Sequence, residues 1–255
     1  NVEKIDVTDL YERELGNSIN ENTKYTPYAM LRLLVDIVPN MPDKLLYLDI
    51  DMMVAGDISE LYNIDLGENI IGACTDNSIQ GIPRLTHYLE QAVGIPKLEY
   101  INSGVLLMNL KEMREKEFSK KFLNLLNTYH FESVAPDQDY INAMCYGKIL
   151  YLNEAWDAMP REDKEEISNP KIVHYNLFQK PWYHDNVQYE DYFWKYAKKT
   201  QYYDQIIQTK NNYTDEQKQS DKECLETLIS NATKIVSKDI TFKKVFDAGK
   251  SVRLI

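Results

Sequence analysis

Three stretches of this chain are too continuously apolar for a strand with one wet face: KLLYLDI (44–50), NIIGAC (69–74) and YINSGVLLMNL (100–110). A half-exposed strand alternates polar with apolar residues; a strand covered on both faces does not. The fold must therefore place helices on both sides of a sheet. The run from Tyr28 to Val38 predicts a buried helix, with Thr26 as N-cap, Pro27 in the first helical position and Pro39 as the stop. Met113, Phe118, Phe122, Leu125, Leu126 and Tyr129 recur at helical spacing over 111–130. Asp137 and Gln138 open another helix that ends near Gly147, and residues 189–199 read as one more. EKIDV (3–7), KILYLN (148–153) and KIVHY (171–175) read as further strands. Residues 77–99 carry Gly81, Pro83, Gly94 and Pro96 and read as a long loop. Strands alternating with helices predict an α/β fold with a mixed, mostly parallel sheet.

The 255 residues suffice for one large domain. The net charge of −11 argues against nucleic acid as a partner, because phosphate contacts need a basic field. A nucleotide ligand stays open, since a bound cation offsets the repulsion. The cysteines at 74, 145 and 224 are odd in number and widely spaced, which suggests free thiols and a cytoplasmic setting. No apolar run approaches the roughly 20 residues of a membrane span. The first residue is Asn1, so the chain is expected to begin inside a longer gene product.

Four segments carry chemistry. Asp49 and Asp51 alternate with Ile50 at the end of an apolar strand, where both carboxylates point the same way. Carboxylates this close repel unless a cation lies between them. His174 ends a short apolar strand, and Lys180 follows six residues later. A neutral imidazole ligates Mn²⁺-like ions, and a lysine acts as a point charge on a diphosphate. Asn102, Ser103 and Gly104 interrupt an otherwise apolar run. Asp137 and Gln138 stand at a helix N-terminus. Taken singly, each has a plain structural alternative: a solvated strand end for Asp49 and Asp51, a hydrogen-bonded core imidazole for His174, a first-turn carboxylate for Asp137.

In order and spacing these segments resemble glycosyltransferase family 8, retaining enzymes of the Rossmann-like GT-A fold that include bacterial lipopolysaccharide galactosyl- and glucosyltransferases. The resemblance covers about residues 1–200, leaving 201–255 as a C-terminal helical extension. It implies that Asp49, Asp51 and His174 hold Mn²⁺ or Mg²⁺ on the diphosphate of a UDP-sugar, with Lys180 on the same diphosphate. It implies donor-sugar contacts from Arg32, Asp76, Asn102 with its neighbour Ser103, Asp137 and Gln138, with Gln138 nearest the reacting carbon. Arg32 has an alternative, an i,i+4 pair with Asp36. Leu177 stands where the family usually has the glycine that meets the phosphate. The family's first strand and acidic nucleotide-binding stretch would precede Asn1, so the 255 residues alone are expected to bind UDP poorly, with a strand edge left unpaired.

The implied function is transfer of glucose or galactose to a hydroxyl of a cell-surface glycan. Two other readings stay open. One is a non-catalytic fragment of such an enzyme. The other is a haloacid-dehalogenase-type phosphatase, although Met53 stands where that motif has Thr or Val. Residues 234–255 carry six Lys or Arg against two Asp, and with Ile235, Val236, Ile240, Phe242, Val245 and Phe246 they suit peripheral contact with an anionic membrane at its inner face.

Overall fold

The computed structural model describes residues 2–16, 27–161 and 164–254. The expected cap Thr26 lies outside them. The N-terminal segment 3–7 is not a strand; helix α1 (Thr8–Glu14) follows it. The apolar run after Pro27 is helical, but as a 3-10 helix, Pro27–Ile37. Strands β1 (Lys44–Leu48) and β2 (Met52–Val54) precede α2 (Ile58–Tyr62) and β3 (Ile71–Ala73). Helix α3 (Pro83–Tyr88) runs into a π-helical turn, Leu89–Val93, where a loop was expected. Strand β4 (Val105–Asn109) leads into α4 (Leu110–Glu115) and α5 (Phe118–Tyr129), one expected helix broken at Glu117, whose φ is 52°. Next come α6 (Pro136–Cys145), β5 (Ile149–Tyr151) and β6 (Ile172–His174), then α7 (Glu190–Ala197), α8 (Tyr203–Asn211), α9 (Asp215–Val236) and α10 (Phe242–Asp247).

The sheet is mixed, in the order β1-β4-β3-β5. Among the described residues only β3–β5 is parallel; β1–β4 and β3–β4 are antiparallel, so the sheet is less parallel than expected. A strand buried on both faces reads the same in either direction, and the pairing sense comes from the connections instead. Both faces of β4 are covered as its sequence requires: Leu106 and Met108 join the main core, and Val105 packs on the other side with Leu61, Cys74, Trp156 and Ile172. Strand β1 pairs only with β4 among the described residues, and its five side chains are half-buried. A separate ribbon pairs β2 with β6.

The main core gathers Leu33 and Leu34 from the 3-10 helix, Phe118 and Phe122 from α5, and Ile141 and Met144 from α6. Burying a side chain of that size stabilises by roughly 1.5–3 kcal/mol. The C-terminal extension shares this core through Ala232, Ile235, Phe242 and Val245. Phe242 stacks on Phe131 at 4.0 Å and meets Tyr140 edge-on at 4.9 Å. Of the extension's apolar side chains, Val236 and Phe246 also pack on the core, whereas Ile240 is exposed. No described helix is long and apolar enough to cross a membrane.

Candidate active site

The chain passes from the four-stranded sheet to the ribbon through residues 49–51. The Asp49 N–H donates to Gly104 O at 2.9 Å, and Tyr175 N–H donates to Asp51 O at 3.0 Å. Side chains alternate across this link. Ile50 is fully exposed, while Asp49 and Asp51 line a cavity of about 400 Å³. The antiparallel register of the ribbon sets His174 opposite Met52, next to Asp51. Ligand atoms of Asp49, Asp51 and His174 all lie within 4.8 Å of one another. An ion at about 2.2 Å from each donor separates donors by roughly 3–4.5 Å, so three donors this close are placed to share one ion.

Two further features fit an ion there. A Cβ on Gly104 would stand 2.4 Å from His174 Cε1 and 2.9 Å from Nδ1, so only glycine leaves the imidazole its place. Behind the ring, His174 Nδ1 lies 3.0 Å from Oδ1 of the buried Asp157. That carboxylate holds the proton on Nδ1 and turns Nε2 toward Asp51, 3.4 Å away. Burial alone would push His174 down; Asp157 and Asp51 outweigh it and raise the imidazole to about 10. Burial would likewise raise Asp51, but His174 and Lys180 hold it well below the usual carboxylate range. Lys180 Nζ donates to Asp51 Oδ2 at 2.5 Å and to the Tyr175 carbonyl. Leu177, in the position of the family's glycine, adopts a left-handed backbone with φ 55°. The turn is thus made without glycine, at a cost of about 1–2 kcal/mol.

Arg32 ties the two halves of the site together. Its Nη2 reaches Asp49 Oδ1 at 3.0 Å, its Nε lies 3.2 Å from Asp137 Oδ2, and its Nη1 donates to Ser103 O at 2.8 Å. The guanidinium lies 4.4 Å over the Tyr47 ring, and the Tyr47 hydroxyl donates to Asp49 Oδ1 at 2.6 Å. The alternative partner Asp36 is engaged elsewhere, accepting from Ser119 Oγ and, at 3.4 Å, from Ser119 N–H. Burial raises Asp137, and Arg32 and Ser103 oppose that rise.

Across the cavity, Gln138 Nε2 donates to Asp76 Oδ2 at 2.9 Å and Asn102 Nδ2 to the same oxygen at 3.2 Å. Ser103 N–H donates to Gln138 Oε1 at 2.9 Å, and Ser103 Oγ to Asp137 Oδ2 at 3.0 Å. The first turn of α6 is fixed from below. Asp139, fully buried, accepts from the hydroxyls of Tyr88 at 2.6 Å, Tyr100 at 2.7 Å and Ser133. Asn142 pairs with both backbone groups of Ile101, at 2.8 and 2.9 Å, and so holds the Asn102-Ser103 loop against α6.

All ten residues singled out from the sequence line this one cavity: Arg32, Asp49, Asp51, Asp76, Asn102, Ser103, Asp137, Gln138, His174 and Lys180. Asp157 is the partner that sequence reasoning missed; its only cue is a lone acid beside Trp156, seventeen residues before the histidine. Also unforeseen is α9, which closes one side with Cys224, Thr227, Leu228 and Asn231, a single helical face.

Residues 2–186 match the sequence family described as Glycosyl transferase family 8. A putative glycosyltransferase of Haemophilus influenzae is 30% identical over 146 residues, covering 57% of this chain and 42% of that protein. The lipopolysaccharide 1,2-glucosyltransferase of Escherichia coli is 28% identical over 159 residues, 55% of this chain and 44% of that one. The chain therefore spans under half the length of these two curated relatives. An active-site mutant of the galactosyltransferase LgtC superposes with a TM-score of 0.62 at 26% identity, over 73% of this chain and 72% of that structure. The likeness places the mixed sheet and its helices in the GT-A class of folds. With the family's sequence pattern running through well over half of its residues and every motif converging on one cavity, the chain belongs to glycosyl transferase family 8.

Proposed function

We propose that this chain carries the catalytic site of a metal-dependent, retaining hexosyltransferase that takes glucose or galactose from a UDP-sugar. The observation that carries the reading is the Asp49–Asp51–His174 cluster with Lys180 on its rim and Asp157 behind it. When bound, Mn²⁺ or Mg²⁺ would supply Lewis-acid neutralisation of the charge that grows on the departing diphosphate. Asp49, Asp51 and His174 would hold it, and Lys180 would move from Asp51 to a phosphate oxygen, adding a fixed positive charge where the leaving group forms.

Arg32, Asp76, Asn102 and Asp137 present charged and amide groups suited to sugar hydroxyls, and each is braced by a neighbour rather than left mobile. Gln138 is anchored through both ends of its amide, by Ser103 N–H and Asp76. A neutral amide is a poor nucleophile, which favours attack of the acceptor on the same face as the leaving group over a covalent intermediate. The acceptor, a hydroxyl of a glycan, would enter on the α9 side, where Thr227 and Asn231 lie outside the family-matched residues.

The setting we propose is cytoplasmic. Contact with an anionic membrane would rest on the exposed lysines at 234, 238, 244 and 250, because most apolar side chains of that segment face the core.

The test is kinetic. Gln138→Ala should lower turnover of UDP-glucose or UDP-galactose more than it weakens donor binding. Equal losses in both, or no loss, would count against the assignment. Absence of turnover with any UDP-hexose would favour a non-catalytic member of the family.

A further inference from the structure

Lys180 begins a tight turn: its carbonyl accepts from Tyr183 N–H at 3.0 Å and His184 N–H at 2.8 Å. The next five residues, 181–185, are gripped by side chains of the C-terminal extension. Lys210 Nζ donates to Pro181 O at 3.1 Å and to His184 O at 2.5 Å, and lies 3.0 Å from Asp185 Oδ1. Asp221 Oδ2 lies 2.9 Å from His184 Nε2 and accepts from the Tyr213 hydroxyl at 2.8 Å. Tyr213 stacks on Tyr183, with ring centroids 4.4 Å apart and planes 18° from parallel. Lys210 is mostly buried and sits 5.2 Å over the Trp194 ring.

These three residues have no part in the cavity, and all lie beyond residue 186, where the family match ends. Their partners follow directly on Lys180. A long lysine side chain has several accessible rotamers, and holding its backbone still limits where its ammonium can reach. Two carbonyls and a carboxylate on one ammonium form a rigid anchor, since each bond is charge-assisted.

We infer that the C-terminal extension acts as a brace for the diphosphate-binding lysine, with Lys210 as its central positioning residue and Tyr213 and Asp221 in support. The inference rests on the diphosphate role of Lys180 proposed above. The brace acts through the turn at 180–184, not by touching the ligand. It gives α8 and α9 a task in the donor site that the shared family segment does not contain.

The experiment measures binding of inorganic pyrophosphate in the presence of Mn²⁺ by calorimetry, on the 255-residue chain. Pyrophosphate probes the phosphate site without the base. Lys210→Met should weaken binding roughly 10-fold, the scale of outer-shell positioning effects, and Lys210→Arg should retain most of the affinity. In a Lys180→Met background, Lys210→Met should cost nothing further, because the residue through which it acts is gone. A merely structural role would give the same loss in both backgrounds, and that result would overturn the brace. So would full affinity in Lys210→Met when Lys180→Met is weakened. If Lys210→Met does not fold, Asp221→Asn, which keeps the side-chain volume, takes its place with the same expectations. Wild-type chain that binds no pyrophosphate with Mn²⁺, or Lys180→Met that binds as well as wild type, would overturn the role of Lys180 itself and the brace with it.

Discussion

The pH dependence of metal binding follows from the surroundings of His174. Asp157 and Asp51 raise its imidazole to about 10 against the pull of burial. Near neutral pH the ring therefore carries a proton that an incoming ion must displace. Asp51, held well below the usual carboxylate range, releases none. One proton lost per ion bound means that apparent affinity rises about tenfold per pH unit, or about 1.4 kcal/mol. From about pH 6.5 to about pH 8.5 the gain should be roughly 100-fold. Titration of Mn²⁺ followed by electron paramagnetic resonance measures this directly, and calorimetry in buffers of different ionisation enthalpy counts the proton. The metal-free chain should show the opposite sign. A group raised in the folded state stabilises fully below its unfolded value of 6.5, and that contribution is lost as pH climbs through about 10. Between about pH 6.5 and pH 10 stability should thus fall with pH without Mn²⁺ and stay level under saturating Mn²⁺, where neither the folded nor the unfolded imidazole holds the proton. A flat affinity profile, or a slope that persists in His174→Ala, would refute the assignment of His174 as ligand.

Three further outcomes are expected. Gly104→Ala should cost at least about tenfold in Mn²⁺ affinity while leaving the circular dichroism spectrum intact, because the new Cβ lies 2.4 Å from the His174 ring. Asp139→Ala should lower stability by about 3 kcal/mol or more, leaving three buried hydroxyls without their acceptor, and drop Tm by roughly 6–12 °C in a thermal melt. Leu177→Gly should change stability by under about 1 kcal/mol in urea unfolding, since relief of the left-handed strain is offset by the greater freedom of glycine when unfolded.

What the sequence disclosed depended on how local each signal was. Strands β3 and β4 were legible because burial on both faces leaves an apolar run. Strand β1 carries the same kind of run although it is only half-buried, and the polar residues beside these strands pointed to the cavity. Residues 77–99 were misleading for a definite reason. Pro83 and Gly94, read there as loop formers, are the first residue of α3 and the left-handed cap, φ 85°, that ends the π-helical turn. Proline and glycine punctuate helices as well as loops. The break at Glu117 needs a left-handed non-glycine residue, which composition does not announce. Asp157 was hidden because its role is set by packing behind His174, with no fixed spacing to mark it. The same holds for α9: its part in the cavity comes from docking of the extension on the core through Ala232 and Ile235.

The central claim is that Asp49, Asp51 and His174 make donor chemistry depend on a divalent ion. Its most direct measurement is release of UDP from millimolar UDP-glucose and UDP-galactose, with Mn²⁺ and with a strong chelator, for wild type and Asp51→Ala. The account predicts Mn²⁺-dependent release that the chelator abolishes and that Asp51→Ala lacks while remaining folded. Release that is undiminished in chelator, or retained in Asp51→Ala, would contradict it.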